Sequence, residues 1–387
     1  MSLKISILND AQHSVWDTYV YSHPAANLYH LSGWKKVIEE TYGHDTYYIL
    51  AIEEDKVSQS TEQSVNRIVG VLPLVHMSHF IFGKKLVSIP FFDMGGILAD
   101  NEVISSALLK EAVTLGRSLK VDTIELRERE KKESGVRSQE SEEEQDSRVQ
   151  GFEGSRENTP HVTTNLTNST NKVRMILALP GSSEELMASF KSKLRSQIKR
   201  PIKDGLTATI GGLELLDPFY SVFCVNMRDL GSPVHSRKLI ETVLSVFSET
   251  AKIVMVYKNN TPIAGSIIIG FKDILENPWA SSLKAYSHLS PNMLLYWTML
   301  EYACDKGFRF FDFGRSTPGE GTFQFKKQWG SESSPLHWHT IYLNGQQEEN
   351  DSFTEKNKFS RAIKYWQKLP VPLTRALGPI VRKNISL

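Results

Sequence analysis

An α/β protein made of two units, each a mixed sheet flanked by helices, is what this sequence predicts, and three observations carry that prediction. The 387 residues exceed what one hydrophobic core usually serves. Helical and strand-like hydrophobic periods alternate through residues 28–127, and they return in similar order from 173 onward. Between the two lies a charged stretch, 128–172, with almost no apolar content. The similar order implies an internal duplication, although no residue-level repeat survives.

Residues 1–127 are the first unit. Leu31, Trp34, Val37, Ile38 and Tyr42 share one face of a helix that Gly43 ends. Thr46–Ile52 and the longer Arg67–Met77 read as strands, with the charged Glu53–Asn66 as the hairpin loop between them. Pro73 lacks a ladder donor, so the longer strand should have an edge or a bulge there. Lys85–Pro90 is a third strand, followed by the turn Phe-Phe-Asp-Met-Gly-Gly that carries Asp93. A helix over Asn101–Leu119, with Ile104, Leu108, Ala112 and Leu115 in phase, leads to a strand at Val121–Leu126. The 128–172 stretch cannot bury enough surface to offset its ordering entropy and reads as a disordered insertion, or alternatively as an interaction tail.

Residues 173–350 are the second unit. Val173–Leu179 is a strand and Pro180-Gly181 a turn. Ser182 or Ser183 caps the next helix, with Glu184 and Glu185 in its first turn, where the helix dipole favours acids. Leu186, Phe190, Leu194 and Ile198 give that helix one continuous apolar face. A strand at Thr207–Ile210, helices at 213–229 and 236–249, and strands at 252–258 and 262–271 follow, the last two joined by the tight turn Asn259-Asn260. A strand over 279–287 enters a helix capped by Asn292, with Leu295, Met299, Tyr302 and Ala303 at helical spacing and Gly307 closing it. Phe308, Phe310, Phe311 and Phe313 make an aromatic strand, Gly314–Gly321 a loop, and Phe323–Trp329 a short helical turn. Leu336–Leu343 closes the sheet. Residues 351–387 hold an amphipathic helix over 354–368, ending at Pro370, and then a basic tail punctuated by Pro and Gly.

Composition narrows the function. A net charge of +1 offers no global attraction to nucleic acid, and DNA is not an expected partner. The two cysteines, Cys224 and Cys304, each sit in an apolar helical pattern and read as core thiols. His337 and His339 alternate on a strand without the companions a metal would need, so no metal is expected. The chain opens without a basic and then apolar leader, and no apolar run approaches the ~20 residues of a membrane span, so a cytoplasmic protein is expected.

Polar groups gather where the aromatic strand ends, the end of a strand at which α/β sheets place ligands: Asp312, Arg315 and Ser316, then Lys326 and Lys327. The surrounding run, SPNMLLYWTMLEYACDKGFRFFDFGRSTPGEGTFQFKKQWG, resembles the C-terminal signature of FemAB-like acyltransferases, nearest to the branch associated with exosortase (PEP-CTERM) exopolysaccharide loci. The resemblance implies tandem GNAT (N-acyltransferase) domains. It also implies transfer of an acyl or aminoacyl group to an amine of a cell-envelope or exopolysaccharide precursor. In that family the lysine matching Lys326 helps stabilise charge on the carbonyl oxygen, and Lys327 takes the role if the register differs by one. Asp312 and Arg315 either form a salt bridge that shapes the loop or orient the acceptor amine or a donor phosphate, with Ser316 beside them.

The helix KSKLRSQIKRPIKDG carries six cations before its first acid, with Leu194, Ile198 and Ile202 fixing its buried side. An arc of one sign repels itself unless an anion relieves it, and the bland alternative is a solvated face. Pro201 also removes a helical hydrogen bond, at about 3 kcal/mol. The resemblance places this helix at the substrate cleft between the halves, which makes Arg195, Lys199 and Arg200 candidate phosphate contacts. Tyr286 and Asn292 are further binding candidates, against the simpler roles of core aromatic and helix cap. His288 between them could accept a proton from an attacking ammonium, or be an exposed loop histidine.

No cofactor is expected to stay bound. Acyl-coenzyme A or aminoacyl-tRNA would be the co-substrate, and a small-molecule or lipid-linked saccharide or peptide the acceptor. A coenzyme A signature of the form Q/R-x-x-G-x-G/A is lacking: Arg67–Gly70 fails at its last position and Arg315–Gly321 is one residue too long. A rival reading is a non-catalytic module of a polysaccharide-synthesis complex, or one bound peripherally to an anionic lipid surface. It draws on the tail, where Ile363, Trp366 and Leu369 alternate with Arg361, Lys364 and Lys368. The basic and acidic groups of 312–327 should meet the arc at 195–203 on one hollow.

Overall fold

Hydrophobic alternation becomes one continuous mixed sheet of fourteen strands in the computed structural model, which describes residues 2–54, 66–80, 83–129, 167–168, 170–343 and 360–386. The readings of the loop over 55–65, of 130–166 and of the helix start at 354–359 lie outside the described residues, whereas 53, 54 and 66, expected in the loop, and 128–129 and 167–168, expected in the disordered insertion, are strand residues. The first half supplies β1 (Ser2–Ile7), α1 (His13–Ser22), α2 (Gly33–Tyr42), β2 (Thr46–Glu54), β3 (Asn66–His79), β4 (Gly83–Val87), β5 (Leu98–Ala99), α3 (Glu102–Ser118) and β6 (Thr123–Arg129). After β7 (Thr167–Asn168) come β8 (Val173–Ala178), α4 (Ser183–Ser189), α5 (Ser192–Lys203), β9 (Leu206–Gly211), α6 (Leu216–Leu230) and α7 (Arg237–Val246). The chain continues through β10 (Ala251–Lys258), β11 (Thr261–Phe271), β12 (Ile274–Ser282), α8 (Pro291–Asp305), β13 (Phe310–Ser316), α9 (Gly321–Lys327), β14 (Glu332–Tyr342) and α10 (Val371–Arg382).

Each half repeats one wiring. Antiparallel β2-β3-β4 crosses through α3 to β6, parallel to β4, just as β10-β11-β12 crosses through α8 to β13, parallel to β12. The antiparallel pairs need only turns, and Asn259 and Asn260 make theirs with φ of 48° and 66°. Both faces of the second half are covered, so β11 is buried almost throughout. Ile267 and Ile269 pack in the core with α6 and α7, while Ala264 and Ile268 pack in the core with α8. Pro73 pairs with Tyr48 on one side, and on the other it falls between Val71 of the β5 pairing and Val75 of the β4 pairing, a local edge.

Several local expectations are corrected. The helix expected to run through Phe190 is two helices, because Phe190 turns extended and sets its ring edge-on to Trp297 and Trp329. Ile202 is 52 % exposed and Pro201 takes the buried position instead, in the helix's last turn. Asn292 does not cap α8: Pro291, which has no N–H to satisfy, opens it behind Ser290 at φ 54°. The strand placed at 279–287 is β12, followed by a 3-10 turn over Lys284–Leu289. The aromatic strand continues to Ser316 rather than ending in a loop at Gly314. The basic tail folds as α10, with Pro370 and Pro372 at its start and Gly378 against Val234. Strand β14 does more than close the second sheet: Glu332–Pro335 pair with β8, then Leu336–Tyr342 pair with β6 of the first half.

Candidate active site

The site forms where two parallel strands part. Strands β12 and β13 pair only through Ile274–Glu276 and Phe310–Asp312, and beyond that point a cavity of about 360 Å3 opens between them. On the β13 side the ladder to β8 is also irregular between Asp312 and Arg315. There Gly314 adopts φ 73°, and a Cβ would stand 3.3 Å from the Asn277 carbonyl, so glycine meets both the conformation and the space. Its N–H donates to Asp312 Oδ1 at 2.8 Å.

Three buried charges occupy the base of the fork. Arg174 on β8 donates through Nε to Asp312 Oδ2 at 2.5 Å and through Nη2 to Glu276 Oε1 at 3.4 Å. Burial pushes the Glu276 carboxyl up to about 7; the Arg174 charge opposes that rise and the Asp312 charge adds to it. Asp312 therefore does not bridge Arg315. Arg315 Nη1 reaches across to Asp93 Oδ1 of the first half at 2.9 Å, and its guanidinium carbon lies 5.8 Å from the Trp338 ring centroid.

Lys326 is 8 % exposed, brought under β13 by α9, with Nζ donating to the Gly314 carbonyl at 3.2 Å and the Arg315 carbonyl at 2.7 Å. Burial lowers its ammonium to about 8, against the pull of Asp312 and Asp93. An ammonium has three N–H groups, so one remains for the cavity.

The turn bearing Asp93 is fastened from behind. Fully buried Arg127 donates to the Phe92 carbonyl at 2.5 Å and the Ser386 carbonyl at 3.1 Å, pairs with Glu125 at 2.5 Å, and its own carbonyl receives the Gly95 and Gly96 N–H groups. Ile89 and Phe91 are held at φ 52° and 76°, which a β-branched and a bulky residue adopt only when their surroundings dictate it.

Of the residues singled out in the sequence, Asp312, Arg315 and Lys326 line this cavity together, with Asp93. Ser316 is buried next to them, its hydroxyl without a partner among the described residues. The expected convergence with the basic helix is not found. Lys199 and Arg200 are exposed on α5, which packs against α8 and β9; Arg200 faces Asp204 at 3.5 Å, and Arg195 is half-buried away from the cavity lining. Lysines 191, 193 and 327 instead border a separate groove of about 780 Å3 floored by Leu177, Leu194 and Trp329. His288 is exposed on the 3-10 turn, and Tyr286 and Asn292 do not reach the cavity either. Three charged residues of the cavity escaped the sequence reading: Arg174, Glu276 and Arg382. Glu276 lies in Leu-Glu-Asn-Pro, which reads as a turn rather than a strand.

The residues at the entrance of α8 do not form a glycine-rich cradle for the coenzyme A pyrophosphate. Pro291 offers no N–H and the Met293 N–H is taken by the Ser290 carbonyl. No group of His, Cys, Asp and Glu among the described residues could hold a metal, and no helix among them is long and apolar enough to cross a membrane.

Residues 188–327 match the acetyltransferase (GNAT) domain family, so the chain carries a GNAT-type acetyltransferase domain that spans the fork, α8 and α9. Over 88 % of its length it superposes on 98 % of the crystal structure of FemX, at 16 % identity and a TM-score of 0.60, which shows a shared fold. A tandem GNAT protein from the clavulanic acid biosynthesis pathway aligns at 11 % identity and a TM-score of 0.49, covering 89 % of this chain and all of that one. The L-PGS structure from Bacillus licheniformis aligns at 10 % and 0.48, covering 87 % and 98 %. No curated protein matches the chain.

Proposed function

We propose that the chain is an N-acyltransferase that moves an acyl or aminoacyl group from an activated donor to an amine, with the cavity at the β12–β13 fork as its active site. The observation that carries this reading is that Lys326 and Glu276 line one cavity, at the fork of a GNAT-type domain. Glu276 takes a proton from the acceptor ammonium, and the free amine attacks the donor carbonyl. As the C–N bond forms, the oxygen's negative charge meets the free Lys326 N–H, already fixed by two carbonyls; collapse breaks the bond to the donor's sulfur or ribose oxygen, which leaves as a thiol or hydroxyl carrying the proton that the new amide nitrogen loses. Asp312 and Arg174 position Glu276 and the Gly314 turn.

The acceptor in this reading is an amine on a cell-envelope or exopolysaccharide precursor, as the resemblance to FemAB-like proteins implies. The lack of a pyrophosphate cradle at α8 favours aminoacyl-tRNA or another carrier over coenzyme A as donor. Assays pairing acyl-coenzyme A and aminoacyl-tRNA with amine-bearing nucleotide- and lipid-linked sugars test it. Lys326→Met should lower kcat by about 10²–10³ with the fold intact. Wild-type turnover in that variant would remove the catalytic assignment.

A second reading, a module that binds an anionic membrane surface, is favoured by one observation. Leu373, Leu377 and Ile380 are 42, 40 and 61 % exposed on one side of α10, with Lys383 just past its end. Sedimentation with anionic vesicles before and after Leu377→Glu separates the two, since surface binding without transfer would leave only the module.

A further inference from the structure

The geometry points to a subsite for an anionic group of the substrate, a phosphate or carboxylate, at the end of the cavity where α10 presents Arg382. The inference rests on the fork cavity being the substrate site. Four cations line that cavity, and three have their partners within it. Arg174 holds two carboxylates, Arg315 holds Asp93, and Lys326 is bound by two carbonyls. Arg382 meets no carboxylate at ion-pair distance among the described residues. Its Nε donates to His235 Nε2 at 3.1 Å, and its guanidinium carbon stands 5.9 Å from the Phe91 ring centroid.

The histidine fixes the guanidinium without neutralising it. A guanidinium only donates, so His235 Nε2 must be the bare nitrogen and Nδ1 must carry the proton. That N–H then donates to Tyr42 Oη at 3.0 Å, which also receives the Ser236 N–H at 3.4 Å. Burial and the nearby Arg382 charge hold His235 well below the usual histidine range, consistent with a neutral ring. A carboxylate at position 235 would have satisfied the arginine's charge, whereas an imidazole orients it and leaves the charge to be met. The Nη pair, free of acids and partly desolvated, is the fork that takes two oxygens of a carboxylate or phosphate side by side. Because α10 is pinned by Gly378 on Val234 and by the Ser386 carbonyl on Arg127 and the Phe91 N–H, the arginine is set in place before any ligand arrives.

Titrating the full chain calorimetrically with inorganic phosphate, and in a separate arm with acetate, tests this without any donor or turnover. One of the two should bind saturably, and Arg382→Gln should weaken it at least tenfold while Lys193→Gln on the exposed face of α5 leaves it unchanged. The stronger arm identifies a phosphorylated or a carboxylated substrate. Undiminished binding in Arg382→Gln, or saturable binding of neither anion to the unmodified chain, overturns the subsite. If Arg382→Gln does not fold, the His235 Nε2 nitrogen resonance of the unmodified chain decides, since it should move with anion occupancy and a stationary signal overturns the proposal. Anion binding without acyl transfer would keep the subsite and remove the transferase reading. Transfer with unaltered anion binding in Arg382→Gln would do the reverse.

Discussion

Glu276 and Lys326 are driven toward each other's range by the same cause. Burial disfavours both charged forms, lifting the carboxyl to about 7 and lowering the ammonium to about 8. The proposed transfer uses the carboxylate and the ammonium together, so kcat/KM should climb as pH passes about 7 and fall as it passes about 8, the two values belonging to the coupled site. Glu276→Gln should erase the rising limb; a profile flat from pH ~6 to ~9 in the wild type would sink both roles. Stability carries the opposite sign. Lysine's ordinary value of 10.5 lies above the folded one, so the unfolded chain binds more protons between the two and stability rises with pH across that window. Below it the buried ammonium costs about 3 kcal/mol, so Lys326→Met should unfold no more easily in urea at pH ~7 while losing transfer. A large drop in its urea midpoint would mean Lys326 serves the fold. Lys326, Asp312 and Arg315 were legible because they share one continuous motif with a strand and a helix on either side. Arg174, Glu276 and Arg382 come from separate elements, and nothing local marks them: a buried salt-bridged arginine and an exposed one are written with the same letter.

Among the elements, those with a strong hydrophobic period were read where they lie, as with α2, α3, β10 and β11. Misplacement followed competing signals. Glu-Asn-Pro hid the middle of β12, one large ring split α4 from α5, and the prolines of the tail concealed α10, where they occupy the start of the helix and one interior position. The basic arc reads as one face of a helix and lies on α5, apart from the fork cavity, because periodicity assigns a face and not the neighbour that face meets. Helix α10 offers a test of packing at this scale. A Cβ on Gly378 would stand 2.8 Å from Val234 Cγ1 and 2.9 Å from the Val234 backbone nitrogen, and backbone does not yield. Gly378→Val should therefore lift the helix at a cost of about 1–3 kcal/mol in denaturant stability and carry Arg382 out of the cavity. An unchanged melting midpoint with unchanged activity would mean that α10 is not tightly seated.

At the scale of the whole molecule the two halves are joined through a strand, a shared core and polar contacts across the cavity. Strand β14 carries the ladder from β8 into β6, so no sheet edge separates the halves. Their facing sides share one core, where Trp34 meets Phe247 at 4.8 Å and Phe92 meets Trp279 at 5.4 Å between ring centroids. Across the cavity, Arg315 of the second half holds Asp93 of the first. Separating the halves would expose that aromatic core and strip Leu336–Tyr342 of β14 of their β6 partners at once, and neither loss is offset by anything gained. The chain should therefore unfold in one cooperative transition, with the calorimetric enthalpy equal to the van't Hoff value, although each half repeats the same wiring. A local lesion should spread in the same way: Trp34→Ala, in the first half, should lower the midpoint for the second half equally, read by proteolysis within residues 188–327. Two resolved transitions, or a second half that keeps its protection in that variant, would show that the halves stand alone and that the fork does not depend on the half that supplies Asp93.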